Sequence, residues 1–166
     1  MNLKIPEVIA IFGPGPSLDN VDYKTVPKFR LCLNFTYLVV KNPTAAISKD
    51  GHALREQIKQ NNILTFCPRP DEFKDEFKSG YFVDVSGIKS TNGTLELAVL
   101  AAHSMGARMI HFYGIDSHFD DFGYAKKMNG VTEIKPVPGS VQGYKVILSN
   151  TMRIMRDHKI TWRFHR

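Results

Sequence analysis

The stretch VIAIFGPGPSLDN, residues 8–20, decides how the rest of the chain is read. Val8 to Phe12 is short, uncharged and rich in β-branched residues, which is the pattern of a buried strand. Gly13-Pro14-Gly15-Pro16 cannot continue it, because proline has no N–H to give to a ladder. Ser17 then suits a helix N-cap, with Leu18 and Val21 as the first apolar positions of a short helix. Strand, tight glycine turn and helix start form half of a βαβ unit. In an open α/β sheet such a turn lies at the carboxyl end of a strand, where ligands bind. Glycines there let the backbone approach a phosphate, and a helix start offers N–H groups to it. A rigid connection that binds nothing fits the stretch equally well. No Gly-Lys-Ser/Thr follows, so this is not a Walker loop, and the third glycine of a G-x-G-x-x-G fingerprint is missing.

Working outward, strands and helices alternate. RLCLNF (30–35), TAAIS (44–48), ILTFC (63–67), YFVDV (81–85), RMIHFYGI (108–115) and ITWRF (160–164) read as strands. Residues 51–60 read as a helix, 71–79 as an amphipathic helical segment, and 144–157 as a helix. LELAVLAAHSMG (95–106), rich in Ala and Leu and closed by Gly106, carries the strongest helical signal. This alternation predicts an α/β fold: a single Rossmann-like domain over residues 1–166, with a mostly parallel sheet and helices on both faces. Residues 117–143 are polar and rich in Gly and Pro, as expected of a long functional loop acting as a lid. Four places then fall at strand carboxyl ends and point to one crevice: the Gly13 turn, Asn34, residues 90–93 and the segment after Ile115.

With 166 residues, of which 43% are hydrophobic, the chain can bury a sizeable core and is not disordered. No apolar run reaches membrane-spanning length and the first residues do not resemble a signal peptide, so a cytoplasmic protein is expected. Cys32 and Cys67 both lie in strand-like runs and are expected to be buried, reduced thiols. The net charge of +6 suits an anionic partner, whether nucleotide, nucleic acid or acidic glycan, although ordinary solvated faces would give the same balance. His118, Asp120 and Asp121 form H-x-D-D. Solvated or capping carboxylates explain this pattern, and a Mg²⁺ bridging a diphosphate is the functional alternative. His103 and His111 are expected to be packed, Trp162 to be core, and His158 and His165 to lie on the surface.

Four stretches carry a resemblance: GPGPSLDNVDY (13–23), CLNF (32–35), STNGTLELAVLAAHSMGAR (90–108) and IHFYGIDSHFDDFGYA (110–125). Their order resembles that of the bacterial sialyltransferases that use CMP-sialic acid: G-N-G-P-S-L, an Asn after the second strand, a T-S-G helix start, then G-I-D and a lid tyrosine. The chain is also similar to the wider group of 6-hydroxymethylpterin diphosphokinase-like proteins. The resemblance implies a nucleotide-sugar-dependent glycosyltransferase that inverts configuration and needs no metal. In it, Gly13, Gly15, Pro16 and Ser17 would line the phosphate and ribose, and Asn34 would hydrogen-bond the nucleotide or sugar. Thr91, Asn92 and Gly93 would sit under the donor, and Asp116 would contact the nucleotide. The Tyr124 hydroxyl would assist departure of the phosphate under a lid that excludes water. His118 stands where the family has a second phosphate-binding tyrosine, and Lys49 where it has an Asn after the third strand. Gln142 stands in place of the family's general-base histidine. An amide cannot take up a proton, so the base is expected from His118 or Asp120. The catalytic candidates are therefore His118 and Tyr124. No cofactor is required by this reading, and the acceptor would be an anionic glycan or another hydroxyl compound. Two other readings stay open: a catalytically silent nucleotide-binding module, and a Mg²⁺-dependent diphosphotransferase like the pterin enzymes. Homo-oligomerisation stays open too.

Overall fold

The computed structural model describes residues 5–60, 63–73, 75–76, 82–89, 93–116, 123–131 and 141–166. Among them run seven strands: β1 (Val8–Phe12), β2 (Arg30–Leu33), β3 (Ala45–Ile47), β4 (Leu64–Cys67), β5 (Phe82–Asp84), β6 (Met109–Tyr113) and β7 (Thr161–His165). The helices are α1 (Gly51–Gln60), α2 (Pro70–Phe73), α3 (Thr94–Ser104) and α4 (Val141–Asp157). One-turn 3-10 helices span Pro16–Asn20, Asn34–Leu38 and Lys126–Met128. The strands form one sheet in the order β5-β4-β3-β2-β1-β6-β7, and every pairing is parallel. The fold is therefore α/β, as the alternation of strands and helices predicts. From β1 the chain walks outward to β5, then returns to add β6 and β7 on β1's other side. The order reverses at β1, so a crevice opens beyond the carboxyl ends of the central strands.

Strand side chains alternate between two apolar layers, as expected where both faces are covered. Ile9, Ile11, Leu31, Leu33, Ile47, Ile110 and Phe112 face the layer that holds Leu95, Ala98, Val99 and Ala102 of α3 and Met155 of α4. Helix α3 is apolar nearly all round because it is buried between the sheet and α4. Ala10, Phe12, Cys32, Ala46 and Tyr113 face the opposite layer, with Leu18, Phe35, Tyr37, Ala53, Ala125 and Met128. Burying each Leu, Ile or Phe contributes roughly 1.5–3 kcal/mol. Both cysteines are buried free thiols, and burial pushes the Cys67 thiol up to about 11.

Several expectations need correction. The second strand stops at Leu33 rather than Phe35, because Asn34 takes a left-handed conformation (φ 51°) and turns the chain into a 3-10 helix. Asparagine is among the few side chains that adopt this region readily. Within residues 71–79 the described helix is a single turn ending at Phe73, whose ring is buried against α1; Phe77 lies outside the described residues. Trp162 is half-buried at the rim of its layer. His165 is not a free surface residue: it stacks on Tyr113 (4.3 Å between ring centres) and on His111 (5.1 Å).

The expected lid over 117–143 is not one loop. Residues 117–122 and 132–140 lie outside the described residues. Between them, 123–131 is docked: Ala125 and Met128 are buried, and the Ala125 N–H donates to the Pro14 carbonyl (2.7 Å). The Asp19 carboxylate accepts the N–H groups of Lys126 (2.6 Å) and Lys127 (3.2 Å). Residues 141–143, Gln142 among them, belong to α4, and Gln142 is exposed.

Candidate functional site

The glycine turn is held by protein from every side. The Gly13 N–H donates to the Tyr113 carbonyl (2.9 Å), and the Gly15 N–H to the Gly114 carbonyl (2.7 Å). The Ser17 N–H donates to Asp116 Oδ2 (2.7 Å), and the Leu18 N–H to the Gly15 carbonyl (3.0 Å). Pro14 and Pro16 have none to offer. Every backbone donor from 13 to 18 is therefore spent inside the fold, so the turn cannot cradle a phosphate. The anion at this helix start is the Asp116 carboxylate itself. Gly15 caps the turn, not Ser17, and Pro16 occupies the first helical position. The Ser17 hydroxyl accepts the Gly114 N–H (3.2 Å). Asp116 is 3% exposed, so it positions the turn rather than reaching a nucleotide. The glycines have a packing reason: a Cβ at Gly13 would stand 2.6 Å from the Ile115 side chain and 2.7 Å from the Gly114 carbonyl oxygen.

What the turn does offer the crevice is Pro14. With Leu33, Asn34, Tyr124 and Tyr144, it lines two adjoining chambers of about 210 and 140 Å³. Phe35, Thr36, Asp50 and Met128 complete the larger chamber, and Thr94, Leu95 and Ile147 the smaller. The walls come from the carboxyl ends of β1, β2 and β3, the start of α3, the docked segment and the first two turns of α4. Thr36 ties the first two strand ends together, its hydroxyl lying 2.6 Å from the Leu33 carbonyl and 3.1 Å from that of Phe12.

Asn34 is the polar centre. Its Oδ1 accepts the hydroxyls of Ser48 (2.6 Å) and Thr94 (3.3 Å). Each of those hydroxyl oxygens in turn accepts a backbone N–H: Ser48 from Asp50 (2.9 Å) and Thr94 from Lys49 (3.3 Å). Both hydroxyl protons are thereby directed at Oδ1, which fixes the amide's orientation. The Asn34 NH₂ donates to no described residue, although Asn34 lines both chambers. Its own carbonyl accepts from the buried Gln57 side chain (2.8 Å), which helps to hold the left-handed backbone. Left-handed non-glycine residues held by their surroundings cluster at functional sites.

Tyr124 and Tyr144 are hydrogen-bonded to one another. Burial, and then the neighbouring Tyr144 hydroxyl, push the Tyr124 phenol up to about 12. It therefore keeps its proton throughout the physiological range, and reaches an anion by turning that proton from the Tyr144 oxygen. Asp50 ends the β3 loop, and its Oδ1 accepts the His52 N–H (2.8 Å) at the start of α1. It is the one carboxylate lining the two chambers among the described residues, and no Lys or Arg side chain joins it there.

The sequence candidates thus divide. Asn34 and Tyr124 meet in one cavity. Gly13, Gly15, Pro16, Ser17 and Asp116 form the scaffold beneath it. Gly93 precedes α3, and a Cβ there would stand 2.9 Å from Ile147, so it sets how closely α3 approaches α4. Thr91, Asn92 and His118 lie outside the described residues, as do Asp120 and Asp121. Sequence reasoning missed Ser48, Asp50, Thr94 and Tyr144. The first two follow a strand and precede a helix, the position that singled out the other loops. Among the described residues no cluster of His, Cys, Asp and Glu could hold a metal ion, and no helix is long and apolar enough to cross a membrane.

No protein-family model matches the chain, and no curated protein matches it. Solved structures do. The monofunctional alpha-2,3-sialyltransferase Cst-I from Campylobacter jejuni superposes with a TM-score of 0.52 at 16% identity, over 98% of this chain and 78% of that one. The sialyltransferase CstII from the same organism, in complex with the substrate analogue cytidine-5'-monophosphate, gives 0.51 at 17% identity, over 95% and 79%. At these identities the likeness establishes the fold: the chain has a sialyltransferase-like α/β fold.

Proposed function

We propose that this chain is a glycosyltransferase that takes a nucleotide-activated sugar, of the CMP-sialic acid type, and transfers it to a hydroxyl acceptor with inversion and without a metal. The observation that carries this reading is the cavity in which the oriented Asn34 amide faces the Tyr124–Tyr144 pair at the carboxyl ends of β1, β2 and β3. Its donors among the described residues are uncharged amide and hydroxyl groups, which suit a single phosphodiester flanked by sugars better than a triphosphate with its metal. The fold shared with the two Campylobacter sialyltransferases, one of them holding cytidine-5'-monophosphate, supports the same donor class.

In this reading the Asn34 NH₂ donates to the nucleotide, and the Tyr124 hydroxyl donates to the phosphate oxygen as it leaves. His118, Thr91, Asn92 and Gly93 belong to the donor side, with His118 giving a hydrogen bond to the phosphate. The preformed donors stabilise charge that develops on the leaving group. Binding measured by calorimetry against CMP, UDP, GDP and ATP, each with Mg²⁺ and with EDTA, tests the assignment. CMP should bind best and equally well in both conditions. Preferential, Mg²⁺-dependent binding of ATP would replace the reading with that of a diphosphotransferase. CMP binding with no turnover of any CMP-sugar would replace it with that of a binding module.

A further inference from the structure

A transfer of this kind needs a group to take the proton of the attacking hydroxyl, and the amide of Gln142 cannot do so. Among the described residues lining the two chambers, the side chains are apolar, amide, hydroxyl or phenol, with one exception. Asp50 alone carries a carboxylate, the one group among them suited to accept a proton. The fold also orients it. Oδ1 is fixed by the His52 N–H at the first turn of α1, and the Asp50 N–H is fixed by Ser48, which is itself bonded to Asn34. Oδ2 makes no hydrogen bond with a described residue.

Charge arranges the ligand about this carboxylate. With no Lys or Arg among the described residues of the lining, a phosphate is repelled from the Asp50 carboxylate and drawn to the hydroxyls of Tyr124 and Tyr144 and the amide of Asn34. Asp50 lines the larger chamber only, so that chamber suits an uncharged, hydroxyl-bearing part of the reacting pair.

We propose that Asp50 is the general base of the transfer, accepting the proton of the acceptor hydroxyl in the larger chamber. This inference rests on the glycosyltransferase reading above. The acceptor oxygen forms its bond to the anomeric carbon as the bond from that carbon to the phosphate oxygen breaks. The electron pair of the broken bond leaves with CMP, whose oxygen Tyr124 supports, and the acceptor's proton passes to Oδ2 of Asp50. Asp50 is exposed on its outer side and returns the proton to water.

The test uses the full chain with CMP-N-acetylneuraminic acid as donor and lactose as acceptor. Asp50→Asn keeps the shape of the side chain and its capping bond, since Asn is as good an N-cap as Asp. CMP affinity by calorimetry should stay within about twofold, and the transfer rate at saturating donor should fall by about 10²–10⁴-fold. Asp50→Ala should lose as much rate and regain part of it when formate is added as an external base. Three results would overturn the assignment. One is CMP binding with full transfer by Asp50→Asn. The second is a loss of CMP affinity in Asp50→Asn with its rate at saturation intact, which would make Asp50 a ribose ligand. The third is wild-type protein that binds CMP but transfers nothing to lactose or water. A wild-type chain that does not bind CMP would refute the glycosyltransferase reading itself, and the base with it.

Discussion

Replacing Gly15 by alanine separates two roles for the glycine turn. Gly15 has an ordinary extended conformation (φ −66°, ψ 165°), so alanine meets no backbone strain there. The new Cβ meets atoms instead: the Gly114 carbonyl oxygen at 2.8 Å, the Asp116 N at 2.9 Å and Asp116 Oδ2 at 2.9 Å. Two of the three are backbone and cannot rotate away. Overpacking of this kind costs about 1–3 kcal/mol. Displacing Oδ2 also weakens its 2.7 Å bond to the Ser17 N–H, a charge-assisted contact worth about 1.5–3 kcal/mol. Together these predict a loss of roughly 3–6 kcal/mol, a large share of the 5–15 kcal/mol that keeps a domain folded. Urea unfolding followed by circular dichroism measures it. Gly143→Ala is the control: nothing lies within 4 Å of its Cβ, so stability should hold or rise by up to about 1 kcal/mol. CMP affinity of the folded fraction of Gly15→Ala should change little, because no backbone donor of this turn is free for a phosphate. Wild-type stability combined with lost CMP binding would refute the reasoning and restore the turn as a phosphate cradle.

Tyr124→Phe should leave donor affinity nearly unchanged and slow transfer by roughly 10–100-fold, the worth of one hydrogen bond to a charged leaving group; an unchanged rate in a continuous CMP-release assay would remove the phenol from the reaction. His118→Asn should slow transfer as well, and with His118 as phosphate donor the wild-type rate should fall as pH rises through the ordinary imidazole range near 6.5. A rate that instead rises through that range, in a way His118→Asn abolishes, would make His118 the base. At the sheet edge, His111 Nδ1 and His165 Nε2 lie 3.0 Å apart. Burial, with Arg163 nearby, holds both imidazoles below the usual 6.5, and His111 lowers His165 further. Their contribution to stability is intact above 6.5 and is lost as pH falls through the lowered folded values. Amide exchange in β7, corrected for intrinsic rates, should therefore lose protection severalfold between about pH 7.5 and about pH 5, with β1 unaffected; equal protection at both pH values would rule this out.

The strand and helix alternation was legible in the sequence because the chain is locally consistent: β-branched runs stop at Pro or Gly, and α1 and α3 carry clear apolar patterns. Gathering of Asn34 and Tyr124 at one crevice follows from that alternation, since parallel strands put their carboxyl ends on the same side. The role of the glycine turn was not legible. G-P-G-P looks the same whether its N–H groups face a ligand or a neighbouring loop. Only the approach of Gly114 and Asp116, about a hundred residues away in sequence, decides between them. The docked segment 123–131 misleads for a similar reason: its polarity suggests a loop, while Ala125 and Met128 are buried and Tyr124 and Val131 pack beside them. Asp50 and Tyr144 carry no local motif. They reach the cavity through the way α1 and α4 begin, which no spacing rule encodes.

In the proposed transfer the Asn34 amide, oriented by Ser48 and Thr94, binds the nucleotide. Asn34→Asp tests it most directly. Aspartate tolerates the left-handed backbone at φ 51° and still accepts both hydroxyls, but it replaces the NH₂ donor, which no described residue engages, with a charged acceptor. Titration calorimetry of CMP should show affinity falling at least about 100-fold, roughly 2.7 kcal/mol, in a variant whose urea midpoint stays near that of the wild type. CMP binding by Asn34→Asp with wild-type affinity would contradict the account.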